Sequence, residues 1–339
     1  MDYPHAEPSQ DDAVPAGNSL ISLVIPVYNE EESLSPLLKE IRAVFAELDR
    51  PWEVILVDDG SSDGSWRVIC ELSRSQPEVR GLRFRRNFGK AAALQAGFSA
   101  SRGDLILTLD ADLQDDPREI PRFITALGEG YDLVSGWKKI RHDPWHKVLP
   151  SRVFNWLVSK VTGVYLHDHN CGFKAYRVEV IRAIRLYGEL HRFVPVLAAA
   201  EGFRVGELIV RHRPRTFGHS KFGVSRFIKG FLDLVAVRFV SHYGRRPMHY
   251  FGTLGFIGIV LGLFLFGLIL LFRLLSEASC LDLGISALSE LALLFAGGSA
   301  IVLGTQSLML GMLSELVASR LAPGEPPYRL WETVPDSRQ

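Results

Sequence analysis

The first 215 residues alternate between short apolar runs and amphipathic segments. Leu20–Val27 (LISLVIPV) is an apolar run that stops at a polar turn, the pattern of a buried strand. Glu30–Leu48 then spaces its apolar residues as a helix does. Trp52–Val57 predicts a second strand, stopped by DDGSSDGS, with a helix following through Leu72. Val79–Phe84 predicts a third strand and Phe88–Ser101 an Ala-rich helix. Asp104–Leu109 predicts a fourth strand, stopped by DADLQDDP. Pro117–Leu127 predicts a helix with Pro in its first turn, and Tyr131–Ser135 a fifth strand. Strands alternating with helices predict an α/β fold, a mostly parallel sheet covered by helices on both faces.

The pattern changes toward the C-terminus. Phe251–Phe272 and Leu291–Ser314 carry no charged residue. A helix of about 22 residues is about 33 Å long, enough to cross a hydrocarbon layer of about 30 Å. Gly297, Gly298, Gly304 and Gly311 suit helix–helix contact in lipid and permit self-association into a homo-oligomer. Arg245 and Arg246 precede the first run and Arg320 follows the second, whereas Leu274–Glu290 between them has no Lys or Arg. The positive-inside rule therefore places both ends of the chain in the cytoplasm, in a cell (inner) membrane protein with two spans. Arg273 is a small counter-signal that can snorkel to the interface. Val224–Val240 has helical apolar spacing with Arg226, Lys229 and Arg238 interspersed, which reads as an amphipathic helix on the membrane surface. The basic residues from His212 to Arg215 and the cluster Arg238, His242, Arg245 and Arg246 suit anionic lipid headgroups. The expected divisions are a polar tail (1–18), a catalytic unit (19–222), interfacial helices (223–248), two spans (249–315) and a cytoplasmic tail (316–339).

Composition narrows the chemistry. The 339 residues carry 38 basic and 38 acidic side chains, so the basic excess of a nucleic-acid binder is missing. Three cysteines, Cys70, Cys171 and Cys280, are far apart and odd in number. They fit neither a disulfide scaffold nor a C-x-x-C zinc site. The N-terminus lacks the apolar core of a signal peptide.

Ligands of such sheets sit at the carboxyl ends of the strands. Three polar clusters fall there: Tyr28-Asn29-Glu30, Asp58-Asp59-Gly60-Ser61 and Asp110-Ala111-Asp112. Two aspartates one residue apart offer hard oxygen ligands, which Mg²⁺ or Mn²⁺ takes together with phosphate oxygens. Gln114 adds an amide oxygen. The bland alternative is a solvated, helix-capping turn. Asp115 or Asp116, just before Pro117, fits an N-cap. Asp58 and Asp59 suit charge-assisted bonds to a base or ribose, or simply end a strand. The chain has neither G-x-G-x-x-G nor G-x-x-x-x-G-K-[ST]. Metal and diphosphate chemistry without those loops points to a sugar nucleotide.

Residues from Leu20 to about Tyr243 resemble the inverting family-2 glycosyltransferases of GT-A fold. PVYNE (Pro26–Glu30), DDGS (Asp58–Ser61) and DAD (Asp110–Asp112) carry that resemblance. RNFGK (Arg86–Lys90), DADLQD (Asp110–Asp115), NCGFKAYR (Asn170–Arg177) and GHSKFG (Gly218–Gly223) are similar to the polyprenyl-phosphate glycosyltransferases, among them dolichyl-phosphate mannose synthases and bactoprenol glucosyltransferases. The resemblance implies that Pro26, Tyr28, Glu30 and Asp58 line a nucleotide pocket, with Asp110 and Ala111 beside the nucleotide sugar. It implies that Asp110, Asp112 and Gln114 hold Mg²⁺ or Mn²⁺. Lys138, Arg152, Arg215 and Lys221 would surround the diphosphate and the lipid phosphate, with Asp112, Arg152 and Lys221 closest to the chemistry. Lys138 stands where mannose synthases use Arg, and an ammonium is a point charge where a guanidinium is a fork. The Q-x-x-R-W signature of processive polymer synthases is absent.

The implied acceptor is polyprenyl phosphate in the membrane. A phosphate monoester has a second pKa of about 6 and is largely dianionic at neutral pH. Such a nucleophile needs positioning and charge neutralisation more than a general base. In-line displacement inverts the anomeric carbon. Asp115 or Asp116 as general base is the competing idea, and a glycolipid acceptor or a non-catalytic scaffold are the competing functions. UDP-glucose is the expected donor, with GDP-mannose next and UDP-N-acetylhexosamine or an aminoarabinose donor behind. His191-Arg192 either approaches the sugar or starts a surface helix, and Cys171 either lies near the sugar pocket or is a packed thiol.

Overall fold

The computed structural model describes residues 19–139, 145–186, 188–214, 230, 233–234, 236–239, 247–279 and 287–321. The chain divides into two units, Met1–Arg238 and Phe239–Gln339.

The first unit is built on a seven-stranded sheet. Its strands are β1 (Ile21–Val27), β2 (Trp52–Asp58), β3 (Val79–Arg83), β4 (Leu105–Thr108), β5 (Leu133–Trp137), β6 (Lys174–Arg177) and β7 (Val205–Ile209). Their order is β3-β2-β1-β4-β6-β5-β7. All neighbours are parallel except β6, which runs antiparallel between β4 and β5. The sequence pattern predicts the first five strands within two residues at each end. It misses β6 and β7, which are four and five residues long with mixed polar and apolar side chains.

Strand alternation sets the two layers. Ile21, Leu23, Ile25 and Val27 of β1 point to one face. There α1 (Leu34–Leu48), α2 (Ser65–Ser75) and α4 (Ile120–Gly128) cover them. Val24 of β1 and Ile106 of β4 point to the other face, under α3 (Lys90–Ala100), α5 (Trp145–Thr162), α6 (Val178–Ala183) and α7 (Val194–Ala200). Helices thus cover both faces. The predicted helix over Glu30–Leu48 begins only at Leu34. Its first residues form a turn in which Ser33 Oγ donates to Glu30 O at 3.0 Å. The predicted helix over Phe88–Ser101 starts at Lys90, after Gly89 at φ 94°. Pro117–Glu119 is a 3-10 turn that precedes α4.

Because β1, β2, β4, β5 and β7 share a direction and β6 opposes them, one edge collects their carboxyl ends together with the start of β6. That edge carries Tyr28–Glu30, Asp58–Ser61, Asp110–Asp116, Lys138, Cys171–Lys174 and Val210–Arg213.

The second unit is a pair of long helices, α8 (Pro247–Ser279) and α9 (Ala287–Leu321). Pro247–Leu275 and Leu288–Val317 are long and apolar enough to cross a membrane. The helices meet at glycines. A Cβ on Gly304 would lie 2.7 Å from Gly255 O, and one on Gly262 would lie 2.6 Å from Gly297 O. Only missing side chains allow such close approach of two backbones. Gly298, expected at the same seam, faces open space instead. Helical phase explains it: Gly297, Gly304 and Gly311 recur every seven residues on the contact face, and Gly298 is one step off. Arg273 Nε pairs with Glu290 Oε1 at 2.5 Å, so its charge is met by the neighbouring helix.

The expected interfacial segment 223–248 is described only at 230, 233–234, 236–239 and 247–248, all helical. The 1–18 tail and residues 322–339 lie outside the described residues, and the expected tail from 316 begins inside α9.

Overpacking a tight apolar contact costs about 1–3 kcal/mol. Gly304→Leu is therefore expected to lower the unfolding midpoint in detergent. Gly298→Leu, whose Cβ meets nothing within 4 Å, should leave it near wild type. Equal midpoints for the two variants would contradict the seam.

Candidate active site

Two loops at the carboxyl edge are stitched together. After β1, Asn29 takes a left-handed conformation (φ 56°), and its Oδ1 accepts from Ser62 N at 2.8 Å. Asn29 N donates to Ser61 Oγ (3.0 Å) and Glu30 N to Ser65 Oγ (2.9 Å). Asx and hydroxyl side chains do this work because their short arms reach backbone groups of a neighbouring turn. Tyr28 is left 38% exposed beside them, and Pro26 is half-buried on β1.

Asp58 is fully buried. Its Oδ1 accepts from Ser61 N at 2.8 Å, and its Oδ2 lies 3.2 Å from Arg83 Nε. Both oxygens hold the β2 turn. Gly60 sits at φ 71°, where a Cβ would strike the Arg86–Asn87 backbone at 2.5 Å. Asp59 accepts from Phe88 N (2.7 Å) and Gly89 N (3.0 Å), so it clamps the RNFGK loop. That clamp delivers Lys90, whose Nζ pairs with Asp110 Oδ1.

Asp110 is the electrostatic centre. Burial works against its charge, yet the amines of Lys90, Lys138 and Lys174 outweigh burial and hold its pKa down at about 2. Its carboxylate lies against Gly172: a Cβ there would sit 2.6 Å from both carboxylate oxygens. Ala111 and Asp112 are buried, and Asp112 Oδ1 accepts from Gln114 N at 3.2 Å. Leu113 takes φ 60°, which turns the chain so that Asp110, Asp112 and Gln114 share one short loop.

Of the two aspartates that could cap the turn at Pro117, the second does so. Asp116 is the N-cap, accepting from Arg118 N at 3.1 Å. Asp115 is not a cap but the 2.8 Å partner of Lys138 Nζ. Burial would push the Lys138 ammonium down, but Asp115, and beyond it Asp110, hold it well above the usual lysine range. Arg213 gathers the loop from the other side, with Nη2 2.6 Å from Asp116 Oδ1 and Nη1 2.7 Å from Glu40 Oε2. Its backbone N donates to Gln114 O at 2.9 Å.

Beneath Asp110, Lys174 is buried and its Nζ donates to Cys171 O. Burial pushes its pKa down. Burial also raises the Cys171 thiol to about 12, so it stays protonated and packs as a small apolar group. His191 lies close enough to Lys90, Lys174 and Asp110 to feel their charge. Burial first, then those amines and Arg192, drive it well below the usual histidine range. Its Nδ1 has no hydrogen-bond partner. Arg192 is buried and bonds Glu189 Oε2 at 2.7 Å, so it starts no surface helix.

Arg152 is exposed on α5, and the structure records no contact between it and Asp110. Arg215 and Lys221 lie outside the described residues. Sequence reasoning gave no role to Lys90 or Lys174, which end or sit inside the motifs RNFGK and NCGFKAYR. Arg213, expected among the basic residues from His212 to Arg215 on lipid headgroups, pairs with Asp116 and Glu40 instead.

Asp110, Asp112 and Gln114 present only oxygen donors, the set that Mg²⁺ or Mn²⁺ prefers. Among the described residues no group of three or more acidic, His or Cys side chains is gathered to enclose an ion. Two carboxylates and an amide, with Gly172 leaving space around Asp110, fit a cation that completes its shell with substrate oxygens.

Comparison with known proteins places this geometry. Residues 22–185 match Glycosyl transferase family 2. The chain belongs to that family. Within it, the chain is 37% identical over 317 residues to the dodecaprenyl-phosphate galacturonate synthase of Rhizobium johnstonii, covering 92% of this chain and 91% of the relative. It is 38% identical over 299 residues to the undecaprenyl-phosphate 4-deoxy-4-formamido-L-arabinose transferase of Aeromonas hydrophila subsp. hydrophila, covering 88% of each. It is thus a membrane glycosyltransferase of the polyprenyl-phosphate group. The fold matches glucosyl-3-phosphoglycerate synthase of Mycobacterium tuberculosis, solved with Mn²⁺ and UDP, at a TM-score of 0.51. At 18% identity over 66% of this chain and 78% of that one, the likeness establishes the GT-A fold alone.

Two outcomes follow. Gly172→Ala drives a methyl into the Asp110 carboxylate, and misplacing a reacting group by about 1 Å costs about 100-fold in rate. Sugar transfer should fall by that order while circular dichroism stays unchanged; full activity would separate Gly172 from the site. His169, buried and 3.0 Å from Ser159 Oγ, has its pKa lowered to about 4 by burial and by Lys174. Its folded value lies below the unfolded value of about 6.5, so its stabilisation is complete above pH 6.5. It is lost as pH falls toward 4, by about 3 kcal/mol in all. Thermal unfolding from pH 7 to pH 4 should show that decline, and a His169→Asn variant should lack it.

Proposed function

We propose that the chain transfers a single sugar from a nucleoside diphosphate donor to polyprenyl phosphate at the cytoplasmic membrane surface, inverting the anomeric carbon. One observation carries this reading: the Asp110 carboxylate sits among Lys90, Lys138 and Lys174 at the edge where the strand ends converge. Such a site neutralises a diphosphate and the incoming phosphate together.

Tyr28, Glu30 and Pro26 line the nucleotide side, with Ala111 next to the donor. Asp58 supports that pocket by fixing the Asp58–Ser61 turn. Asp110, Asp112 and Gln114 hold Mg²⁺ or Mn²⁺, which supplies Lewis-acid stabilisation of the leaving nucleoside diphosphate. Lys90 reaches the diphosphate from its place on Asp110. Arg152, Arg215 and Lys221 receive the acceptor phosphate, and Lys138, held by Asp115, lends its charge to the diphosphate and the lipid phosphate. No general base is required. Asp115 is committed to Lys138, and Asp116 to Arg213 and the cap of Pro117–Glu119. The phosphate dianion attacks as it stands.

UDP-glucose is the donor that RNFGK and DADLQD suggest, with GDP-mannose beside it. A uronic acid donor is a second reading. A relative covering 92% of the chain is named for galacturonate, and buried Lys174 with His191 beside Asp110 suits a carboxylated sugar.

A donor screen tests this. Purified protein receives undecaprenyl phosphate, Mg²⁺ or Mn²⁺, and radiolabelled UDP-glucose, UDP-galacturonate or GDP-mannose in turn. Label is expected in the lipid phase from one donor, and to be lost in Asp112→Ala and Lys90→Met. Absence of transfer from every nucleotide sugar, with folded protein and lipid present, would overturn the reading.

A further inference from the structure

The loop that carries Asp110, Asp112 and Gln114 is held from outside by the segment that follows β7. His212 forms an isolated antiparallel bridge with Asp115. Arg213 N donates to Gln114 O at 2.9 Å, and Arg213 O accepts from Gln114 Nε2 at 3.5 Å. The Arg213 guanidinium is a strut between two carboxylates. Its Nη1 lies 2.7 Å from Glu40 Oε2 on α1, and its Nη2 lies 2.6 Å from Asp116 Oδ1 at the far end of the loop. One step upstream, Arg122 of α4 donates to Ile209 O at 3.0 Å and so fixes where this segment leaves the sheet.

These contacts decide how Gln114 is presented. A carboxamide has an accepting oxygen and a donating nitrogen on two branches of similar shape. A backbone carbonyl only accepts, so the Arg213 carbonyl selects the nitrogen and leaves the Gln114 oxygen on the opposite branch. The half-turned amide would offer N–H groups, which a cation rejects. The loop itself needs such support. Leu113, between Asp112 and Gln114, takes φ 60°. That left-handed conformation costs an ordinary residue about 1–2 kcal/mol, and it persists only where the surroundings hold it. Arginine suits the strut because its planar fork reaches two carboxylates at once, where an ammonium is a point charge. Asp116, only 4% exposed, gains a counter-charge from the same group.

We propose that Arg213 is a positioning residue for the cation site. Anchored on α1, its guanidinium keeps its own carbonyl in register with Gln114 and keeps Asp116 at the loop's end, so that the loop offers oxygens to Mg²⁺ or Mn²⁺. The inference rests on the proposed cation site at Asp110, Asp112 and Gln114. Groups that orient metal ligands in this way typically account for 10–100-fold in metal affinity.

Manganese binding tests it without catalysis. The full chain in detergent is titrated with Mn²⁺ in the presence of UDP and, in parallel, of GDP, and free Mn²⁺ is read by electron paramagnetic resonance. Arg213→Met is expected to weaken Mn²⁺ binding about tenfold. Arg213→Lys, which keeps a positive charge beside Asp116, should weaken it in the same direction and supplies the test where Arg213→Met fails to fold. Combined with Gln114→Ala, either substitution should add little to the loss that Gln114→Ala causes alone, because both remove the same ligand. A residue that merely stabilised the fold would add its effect in full. Mn²⁺ bound by the wild type and lost in Asp112→Ala, but held at wild-type affinity by the Arg213 variants, would overturn the inference and leave the cation site standing. So would full additivity with Gln114→Ala. A wild type that binds no Mn²⁺ with either nucleotide would overturn the cation site and this inference together, while the donor screen still decides the reaction.

Discussion

An ionised carboxyl at the end of a buried central strand constrains everything around it. Asp110 keeps 31% of its side-chain surface exposed, and partial withdrawal from water still works against its charge. Asp110 is met by three amines, from three separate parts of the chain: Lys90 at the start of α3, Lys138 after β5 and Lys174 at the start of β6. Each amine needs its own support. Asp59 clamps the loop that presents Lys90, Asp115 compensates Lys138, and the Cys171 carbonyl receives Lys174. The antiparallel insertion of β6 between β4 and β5 is what brings Lys174 to this edge. In a wholly parallel sheet its first residue would lie at the opposite end.

This explains what could and could not be read from the residues. Strands β1, β2 and β4 are legible because they are apolar runs cut off by acidic or glycine-rich turns, and those turns are themselves the clusters at the site. The two strands that escaped prediction are short and half polar. Lys174 and Tyr176 on β6 are buried polar groups satisfied by tertiary partners, which no periodicity can announce. The DAD loop was legible as a group of oxygen ligands, but its electrostatic counterweight was not. Lys90 and Asp110 are twenty residues apart, and Arg213 reaches Asp116 from the far end of the unit. The Asp115/Asp116 pair shows the limit well. Local spacing allows either to cap Pro117, and only the buried Lys138 decides which one is withdrawn from that task.

The helix pair was legible in outline for a different reason. Length and the absence of charge suffice to suggest a span, and small residues suffice to suggest close contact. Which small residues meet depends on helical phase. The heptad-spaced Gly297, Gly304 and Gly311 form the seam, where Gly255 and Gly262 of α8 bring backbone against backbone. The same phase turns Gly298 outward.

The fate of Lys138 carries the last step. Its ammonium is held by Asp115 at 2.8 Å and has little exposed surface, so under the proposed reaction it sets the local potential more than it grips an incoming phosphate. Breaking a buried ion pair costs about 3–5 kcal/mol, more than a phosphate at the edge of water would return. Arg152 stands exposed on α5. A guanidinium grips a phosphate with two parallel bonds where an ammonium offers a point charge. Under the proposed reaction, the amines fixed around Asp110 would serve the donor diphosphate and the exposed Arg152 the lipid phosphate.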